Sequence, residues 1–198
     1  AHIIIWTTTP WTIPVNRALA YNSKIKYSLI QMGKDIEHFK NKNIIIASEL
    51  IKKVSDDCSF KDFKILKEFN GNDFKNSICL HPLKKIGFDY DVPMLEGDFV
   101  TLEQGTGIVH SAPSHGPDDF NLCLKHGIKA SNTINDSGIY SDEVPFFSGV
   151  HIFKADAQVI EKLSEHNSLL GKGKLQHSFP HSWRSKAPLV YRATSQWF

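Results

Sequence analysis

The sequence lacks a strong net charge and a long apolar run, two features that would point directly to a partner or a location. It has 198 residues, and 23 lysines and arginines against 21 aspartates and glutamates leave a net charge of +2. That charge is too small to argue for nucleic-acid binding through the overall field, so any such contact needs a local patch. No apolar run approaches the roughly 20 residues of a membrane span, so we expect no membrane association.

Cysteine is also scarce. Cys58, Cys79 and Cys123 are widely spaced, odd in number and contain no CxxC pair. This pattern argues against a disulfide framework and against a cysteine-rich zinc site. It favours a reducing compartment, and we expect a cytoplasmic protein.

What is present is a series of short β-rich runs separated by glycine, proline, asparagine and aspartate. Their periodicity predicts eight strands, near residues 2–6, 17–21, 26–32, 43–47, 63–69, 78–80, 92–95 and 107–111. Three helices are predicted over 48–57, 117–126 and 155–166, the first capped by Ser48 and the second begun by Pro117. Many short strands with few helices favour an α+β fold with a β-barrel core and peripheral helices.

The first motif that could carry chemistry is WTTTPWTIPVNR, residues 6–17. In an extended chain Thr7 and Thr9 would share one face and Thr8 the other, and Pro10 would end regular pairing. The clustered hydroxyls can bind a sugar or orient a water. The alternative is a β-branched strand that runs into a proline turn and has no chemical role.

The second motif is GTGIVHSAPSHGPDDF, residues 105–120. A strand brings His110 to its end, a Gly/Pro turn follows, and a helix begins with Asp118 and Asp119. One interpretation is that both carboxylates complement the helix dipole or cap its amides. The other is that one carboxylate faces a pocket beside His110 and binds a cation such as an ammonium group. No nucleophile elbow accompanies the motif, so a Ser-His-Asp triad is not predicted.

The remaining histidines offer no convincing metal site. His177 and His181 have the i,i+4 spacing of helical ligands, but Pro180 lies between them and no third ligand is evident. We therefore predict no metal. The chain begins in an apolar run and ends in an aromatic-rich one, so we expect a piece of a larger protein.

These two motifs, together with LQHSFPHSWRSKAPLVYRATSQWF at residues 175–198, resemble the editing domain inserted in class I isoleucyl-tRNA synthetases of bacterial type. The resemblance implies that residues 1–173 are the editing domain and 174–198 a segment returning to the synthetic domain. The HIGH and KMSKS motifs of synthetic sites are absent from the sequence, so no ligase activity is expected. Ser114 stands where the family commonly has glycine.

The resemblance implies a hydrolase that removes misattached valine from tRNA(Ile), and valyl-adenylate as well, while it excludes isoleucine. One methylene distinguishes the two amino acids and is worth only about 1–3 kcal/mol, so a second and narrower pocket is needed; this pair of amino acids is itself a long-standing worked example of the argument in enzymology. The implied partners are the tRNA(Ile) acceptor end carrying valine and the rest of the parent synthetase in cis. No cofactor is implied, and we expect a monomer.

The resemblance also assigns roles to residues. Asp119 is the ligand of the α-ammonium group, and His110 is a wall of the side-chain pocket. The other candidates grip the terminal adenosine and the ester or support that grip, and they are Thr7, Thr8, Thr9, Thr12 and Asn16. We count Thr8, Thr9, His110 and Asp119 as catalytic. No protein general base is evident; His110 is a candidate by residue type, but a steric and hydrogen-bonding role fits the resemblance better.

Two alternatives stay open. A non-catalytic module could bind the tRNA acceptor end, although it would not need an ammonium ligand. A valyl-type editing domain could act on a threonyl ester. Thr9 where valyl relatives have arginine, and Trp11 where they have glutamate, count against this second alternative.

Overall fold

The structure is a computed structural model and describes residues 1–175 and 180–194. His177, one of the two histidines considered for a metal, lies outside the described residues, as does the end of the returning segment. The eight strands are β1 (His2–Ile3), β2 (Ala18–Tyr21), β3 (Lys26–Met32), β4 (Asn43–Ala47), β5 (Phe63–Asn70), β6 (Ile78–Leu80), β7 (Asp91–Glu96) and β8 (Val109–Ser111). The α-helices are α1 (Ile51–Asp57), α2 (Pro117–Lys125) and α3 (Ile152–Glu165). Short 3-10 segments cover Pro10–Val15, Glu37–Phe39, Ser48–Leu50, Gly71–Phe74 and Lys84–Ile86.

The strands form two four-stranded sheets, in the orders β1-β4-β3-β5 and β6-β7-β2-β8. In the first, β1 pairs parallel with β4, and β3 pairs antiparallel with both β4 and β5. In the second, β2 pairs parallel with β7 and antiparallel with β8, which places Leu19 opposite both Met94 and His110. The predicted α+β class is confirmed. Across the described strands the two sheets do not join into a closed barrel, so the predicted barrel is not confirmed.

The strand predictions agree closely with the structure except at the first strand. β1 ends at Ile3, whereas the sequence predicted a strand to Trp6. The Ile4 amide still donates to the Ile45 carbonyl at 3.3 Å, but the Ile4 carbonyl accepts a bond of 2.6 Å from the Thr106 hydroxyl. A side chain thus takes the carbonyl that a neighbouring strand would use, and the ladder ends.

The first helix also differs from its prediction. Residues 48–50 form a 3-10 turn that leads into α1 at Ile51, and no side chain caps the start of either element. Ser48, predicted as the N-cap, instead places its hydroxyl 2.7 Å from the hydroxyl of Ser28 on β3. The serine ties the turn to the sheet, and the capping prediction was wrong.

The apolar residues form two cores. The larger lies on the sheets and includes Tyr27, Ile30 and Ile46, each fully buried. The second gathers the apolar side chains of the Pro10–Val15 segment against α3 and the loop around Phe147. β2 is buried along its whole length, as expected for a strand with a neighbour on each side and cover on both faces. The second core therefore fixes the Pro10–Val15 segment beside the start of β2 and the end of β8.

Candidate functional site

The three threonines at residues 7–9 form a turn that precedes the Pro10–Val15 segment. The Thr9 amide donates to the Thr7 hydroxyl oxygen at 3.0 Å, and the two hydroxyl oxygens are 3.3 Å apart. Short hydroxyl-to-backbone bonds of this kind stabilise turns in place of a strand ladder. Thr7 and Thr9 are partly buried on a shared face, while Thr8 is exposed and outside this network.

Thr12 links this turn to the second motif. Its hydroxyl donates to the Thr9 carbonyl at 2.8 Å and lies 3.4 Å from the Thr9 hydroxyl. The same hydroxyl oxygen is 3.2 Å from His110 Nε2. Residues that are about 100 positions apart in the sequence are therefore joined in one hydrogen-bonded row, from Thr7 through Thr9 and Thr12 to His110.

The bonds of Thr12 fix the tautomer of His110. A hydroxyl has one proton, and Thr12 donates it to the Thr9 carbonyl, so Thr12 must accept from His110 Nε2. The other ring nitrogen, Nδ1, is then an acceptor, and it is buried without a hydrogen-bond partner among the described residues. Burial, with a smaller contribution from nearby His81, lowers the pKa of His110 to about 4. His110 is therefore a neutral side chain near pH 7.

Asp119 lies in the first turn of α2, and its carboxylate, which is close to Gly116, bonds an amide outside that helix. Its Oδ2 accepts a bond of 3.1 Å from the Ala112 amide, just past the end of β8. Gly116 is the N-cap of α2 and provides no side-chain cap, while Asp118 is exposed. Burial raises the pKa of Asp119 to about 6, against the opposing effect of the Ala112 N–H, and the charge of Asp118 raises it further. The carboxylate of Asp119 therefore bonds the strand end, and its role as the ligand of a cation stays a prediction.

Asn16 reaches the same strand end from the opposite side. Its Oδ1 accepts from the Ser111 amide at 3.2 Å, and the Arg17 amide donates to the Ser111 carbonyl at 2.8 Å. The Ser111 hydroxyl is close enough to Asp119 to favour its charged form, yet Ser111 Oγ makes no hydrogen bond of normal geometry among the described residues. Asn16 and Asp119 therefore hold adjacent amides of one short stretch, beside the row that ends at His110.

The described acidic, histidine and cysteine side chains do not group as metal ligands do. Within residues 1–175 and 180–194, no three histidine, cysteine or acidic side chains come together as a metal site would require. Helices in the same ranges are all too short or too polar to cross a membrane. The site thus combines hydroxyls, one neutral imidazole and one partly buried carboxylate.

A family model described as leucyl-tRNA synthetase, editing domain, matches residues 18–161. The chain belongs to this editing-domain family. The matched range holds His110 and Asp119 but begins after the threonine motif, so the family match does not include that motif. The sequence resemblance to synthetase editing domains is confirmed.

Similar curated proteins include two isoleucine–tRNA ligases. That of Pelagibacter ubique (strain HTCC1062) is 61% identical over 196 residues, which cover 99% of this chain and 22% of that protein. That of Gluconobacter oxydans (strain 621H) is 43% identical over 209 residues, covering 98% of this chain and 22% of that protein. The chain thus spans about a fifth of the length of these relatives. Their names support the isoleucyl branch that the threonine motif indicated.

Solved editing domains share the fold. The structure described as GlLeuRS-CP1 superposes with a TM-score of 0.68 at 15% identity, covering 88% of this chain and 84% of that one. The P. knowlesi cytosolic leucyl-tRNA synthetase editing domain gives a TM-score of 0.55 at 11% identity, covering 96% and 83%. Identities this low show a common fold alone.

The returning segment contacts this editing domain beside its site. The Ala193 amide donates to the Ser114 carbonyl at 2.9 Å, and His115 Nδ1 lies 3.0 Å from the Tyr191 carbonyl. The Ser114 hydroxyl donates to the Ser131 carbonyl at 2.6 Å, so its hydrogen bond is directed away from the carboxylate of Asp119, which bonds the Ala112 amide. The division of the chain at residues 173 and 174 stays a prediction.

Sequence reasoning missed four side chains that form hydrogen bonds with the backbone of residues 11–16. They are His81, Tyr90, Tyr140 and Asp156. Each lies at least 68 positions away from the residue that it bonds, and no local spacing connects them. The only available signal was residue type, since histidine, tyrosine and aspartate at buried positions must find hydrogen-bond partners.

Proposed function

We propose that this chain hydrolyses the ester of valine misattached to tRNA(Ile), and the valyl-adenylate, while it excludes isoleucine. The observation that carries the proposal is the hydrogen-bonded row from Thr7 to His110 beside the inward-facing carboxylate of Asp119. A module that only binds nucleic acid does not need a partly buried carboxylate with a raised pKa. A pocket for an aminoacyl ester needs one, because the α-ammonium group must be paired when it leaves water.

In this proposal Asp119 binds the α-ammonium group and His110 limits the depth of the side-chain pocket. Thr7, Thr8 and Thr9 hold the terminal adenosine and the ester. Because Thr8 is exposed and outside the row, it is assigned to the adenosine or the attacking water, whereas Thr7 and Thr9 also fix the turn. Thr12 and Asn16 support the turn and the β8 strand end, respectively, so all seven predicted residues have a role.

The chemistry proposed is largely positional. A pKa near 4 makes His110 a weak general base at neutral pH, and its basic nitrogen, Nδ1, is buried. The aminoacyl ester is an activated substrate, so a held water and hydrogen bonds to the carbonyl oxygen supply the rate enhancement. The free ribose hydroxyl beside the ester can take part in proton transfer. No cofactor is required.

The first test compares deacylation of Val-tRNA(Ile) and Ile-tRNA(Ile) by the 198-residue chain. We expect valine to be released at least about 10-fold faster than isoleucine, as a steric pocket that separates one methylene allows. Release of product distinguishes a hydrolase from a binding module. If neither ester is hydrolysed by the chain, nor by the full-length synthetase that contains it, the proposal is wrong and a binding role remains.

A second prediction concerns pH. Only ionised Asp119 can pair with the ammonium group, and its pKa is raised to about 6. The value of kcat/KM for Val-tRNA(Ile) should therefore be constant near pH 7 and fall by up to about tenfold per unit as the pH drops below 6. A profile that stays flat down to pH 5 would contradict the role of Asp119.

The matched control is Asp118→Asn. Because the negative charge of Asp118 raises the pKa of Asp119, its removal should move the fall in kcat/KM to lower pH. The plateau near neutral pH should not change, since Asp118 is exposed and outside the hydrogen-bonded row. A shift to higher pH would show that another group controls the profile.

A further inference from the structure

The Pro10–Val15 segment cannot form all of its backbone hydrogen bonds internally. It carries Thr12 and leads to Asn16. In a 3-10 helix each carbonyl accepts from the amide three residues on. Pro14 has no N–H, so the Trp11 carbonyl has no partner within the segment. The Tyr140 hydroxyl donates to that carbonyl instead, and the Trp11 amide donates to Asp156 Oδ1 at 2.9 Å. The start of the segment is thus held from α3 and the loop before it.

His81 holds the middle of the segment. Its Nε2 donates to the Ile13 carbonyl at 2.9 Å, and its Nδ1 accepts from the Leu83 amide at 3.1 Å. The Leu83 amide can only donate, so Nδ1 carries no proton and Nε2 must carry the one proton of a neutral ring. The ring is 2% exposed and stacks on Phe88 with centroids 4.9 Å apart. Both nitrogens of His81 are therefore committed, and its direction is fixed.

Tyr90 holds the end of the segment. Its hydroxyl lies 3.0 Å from the Asn16 carbonyl and 3.4 Å from the Pro14 carbonyl. The amide that would serve Pro14 in a continuing helix is that of Arg17, and it donates to the Ser111 carbonyl at 2.8 Å. Burial raises the pKa of Tyr90 to about 12, so its hydroxyl stays a donor.

We propose that His81 is a positioning residue for the hydrolysis, which sets the direction of Thr12 and Asn16 by holding the carbonyl of Ile13 between them. The inference rests on the proposed function. The Ile13 carbonyl already accepts the Asn16 amide at 3.1 Å, so His81 adds a second bond whose effect is on direction. Thr12, one residue before Ile13, passes that direction to His110 through its own bond of 3.2 Å.

A purely structural role for His81 makes a different prediction. A core residue that only fills space could be replaced by any ring of similar size, and the loss of activity would follow the loss of stability. A positioning residue requires the Nε2–H in particular. His81→Gln places an amide N–H near the position of Nε2, whereas His81→Asn can replace only the Nδ1 acceptor, and His81→Phe keeps the stacked ring without either nitrogen.

The experiment measures kcat, KM and Tm for these three variants with Val-tRNA(Ile), beside the control Phe88→Leu. We expect His81→Asn and His81→Phe to lower kcat by about 10-fold to 100-fold, with KM changed less than about threefold. His81→Gln should restore kcat to within about threefold of the wild-type value. Phe88→Leu removes the stacked ring but leaves both bonds of His81, so it should lower Tm with little effect on kcat.

A second readout does not depend on activity. Nitrogen-15 NMR of the wild-type chain should show the His110 Nε2–H, and its chemical shift should move in His81→Asn but not in Phe88→Leu. If kcat follows Tm across all four variants, or if His81→Gln is as slow as His81→Asn, the proposal is wrong. If neither the wild-type chain nor the full-length synthetase that contains it releases an amino acid, the proposed function fails, whereas an unmoved His110 signal in His81→Asn overturns the positioning role by itself.

Discussion

Asp119→Asn should lower kcat/KM for Val-tRNA(Ile) by at least about 30-fold while the folded chain becomes no less stable. The amide keeps an oxygen that can accept from the Ala112 N–H, but it has no charge for the α-ammonium group. Loss of one partner of a desolvated charge pair costs about 2–5 kcal/mol in binding, which corresponds to about 30-fold or more. The measurement is steady-state deacylation at a pH of about 7.5, above the pKa of the carboxyl group.

Stability separates this result from a folding defect. The pKa of Asp119 is raised from 3.8 to about 6, so the ionised carboxylate is less favourable in the folded chain than in the unfolded one. At pH 7 the aspartate is charged in both states, and Asp119→Asn should raise the free energy of unfolding by up to about 2 kcal/mol. This gain should shrink as the pH falls from about 6 to about 4, because the aspartate then becomes neutral in both states.

The matched control is Asp118→Asn, which removes the same charge one residue earlier on the exposed side of α2. It should keep kcat/KM at neutral pH within about twofold of wild type. If both asparagine variants lose activity equally, the loss comes from the changed electrostatic potential near the site, and Asp119 is not the ammonium ligand. A variant at position 119 that retains full activity would equally exclude the role.

Much of the fold was predictable because its signals are local. The short apolar, β-branched and aromatic runs of β3 and β4 and the Pro117 start of α2 follow from rules that connect neighbouring residues. The errors occurred where a distant group competed for the backbone or for a side chain. The Thr106 hydroxyl bonds the Ile4 carbonyl just past the end of β1, and the Ser48 hydroxyl bonds that of Ser28 and does not cap a helix.

The sequence pointed to the two motifs of the candidate site but not to the contacts that join them, and the roles of their residues stay predictions. The threonine motif and the His110 motif were recognised separately, and the bond from Thr12 to His110 that joins them spans 98 positions. The tautomer of His110 depends on where Thr12 sends its proton, which no sequence pattern encodes. His81 illustrates the same limit, because its partner Ile13 lies 68 positions away and its neighbours Leu83 and Phe88 carry no motif.

His110→Ala should change the specificity of the domain by opening the side-chain pocket to isoleucine. His110 is 8% exposed, and its ring is fixed by Thr12 at 3.2 Å. A rigid wall rejects the extra methylene of isoleucine by steric clash. In an open pocket the same methylene is buried, which favours binding of isoleucine over valine by about 0.8 kcal/mol. We therefore expect Ile-tRNA(Ile) hydrolysis to rise at least about 10-fold, and the preference for valine to fall toward one.

Two companion variants separate the wall from the hydrogen bond. His110→Gln keeps much of the bulk and a donor for Thr12, so discrimination against isoleucine should largely survive. Thr12→Val removes the hydroxyl that orients His110 but leaves the imidazole in place, and it should lower kcat for valine without admitting isoleucine. If His110→Ala and Thr12→Val instead behave alike, losing valine hydrolysis with no gain on isoleucine, then His110 supports the turn through Thr12. The wall must in that case be formed by another residue, because a support acts on the rate for both esters and only a wall acts on the difference between them.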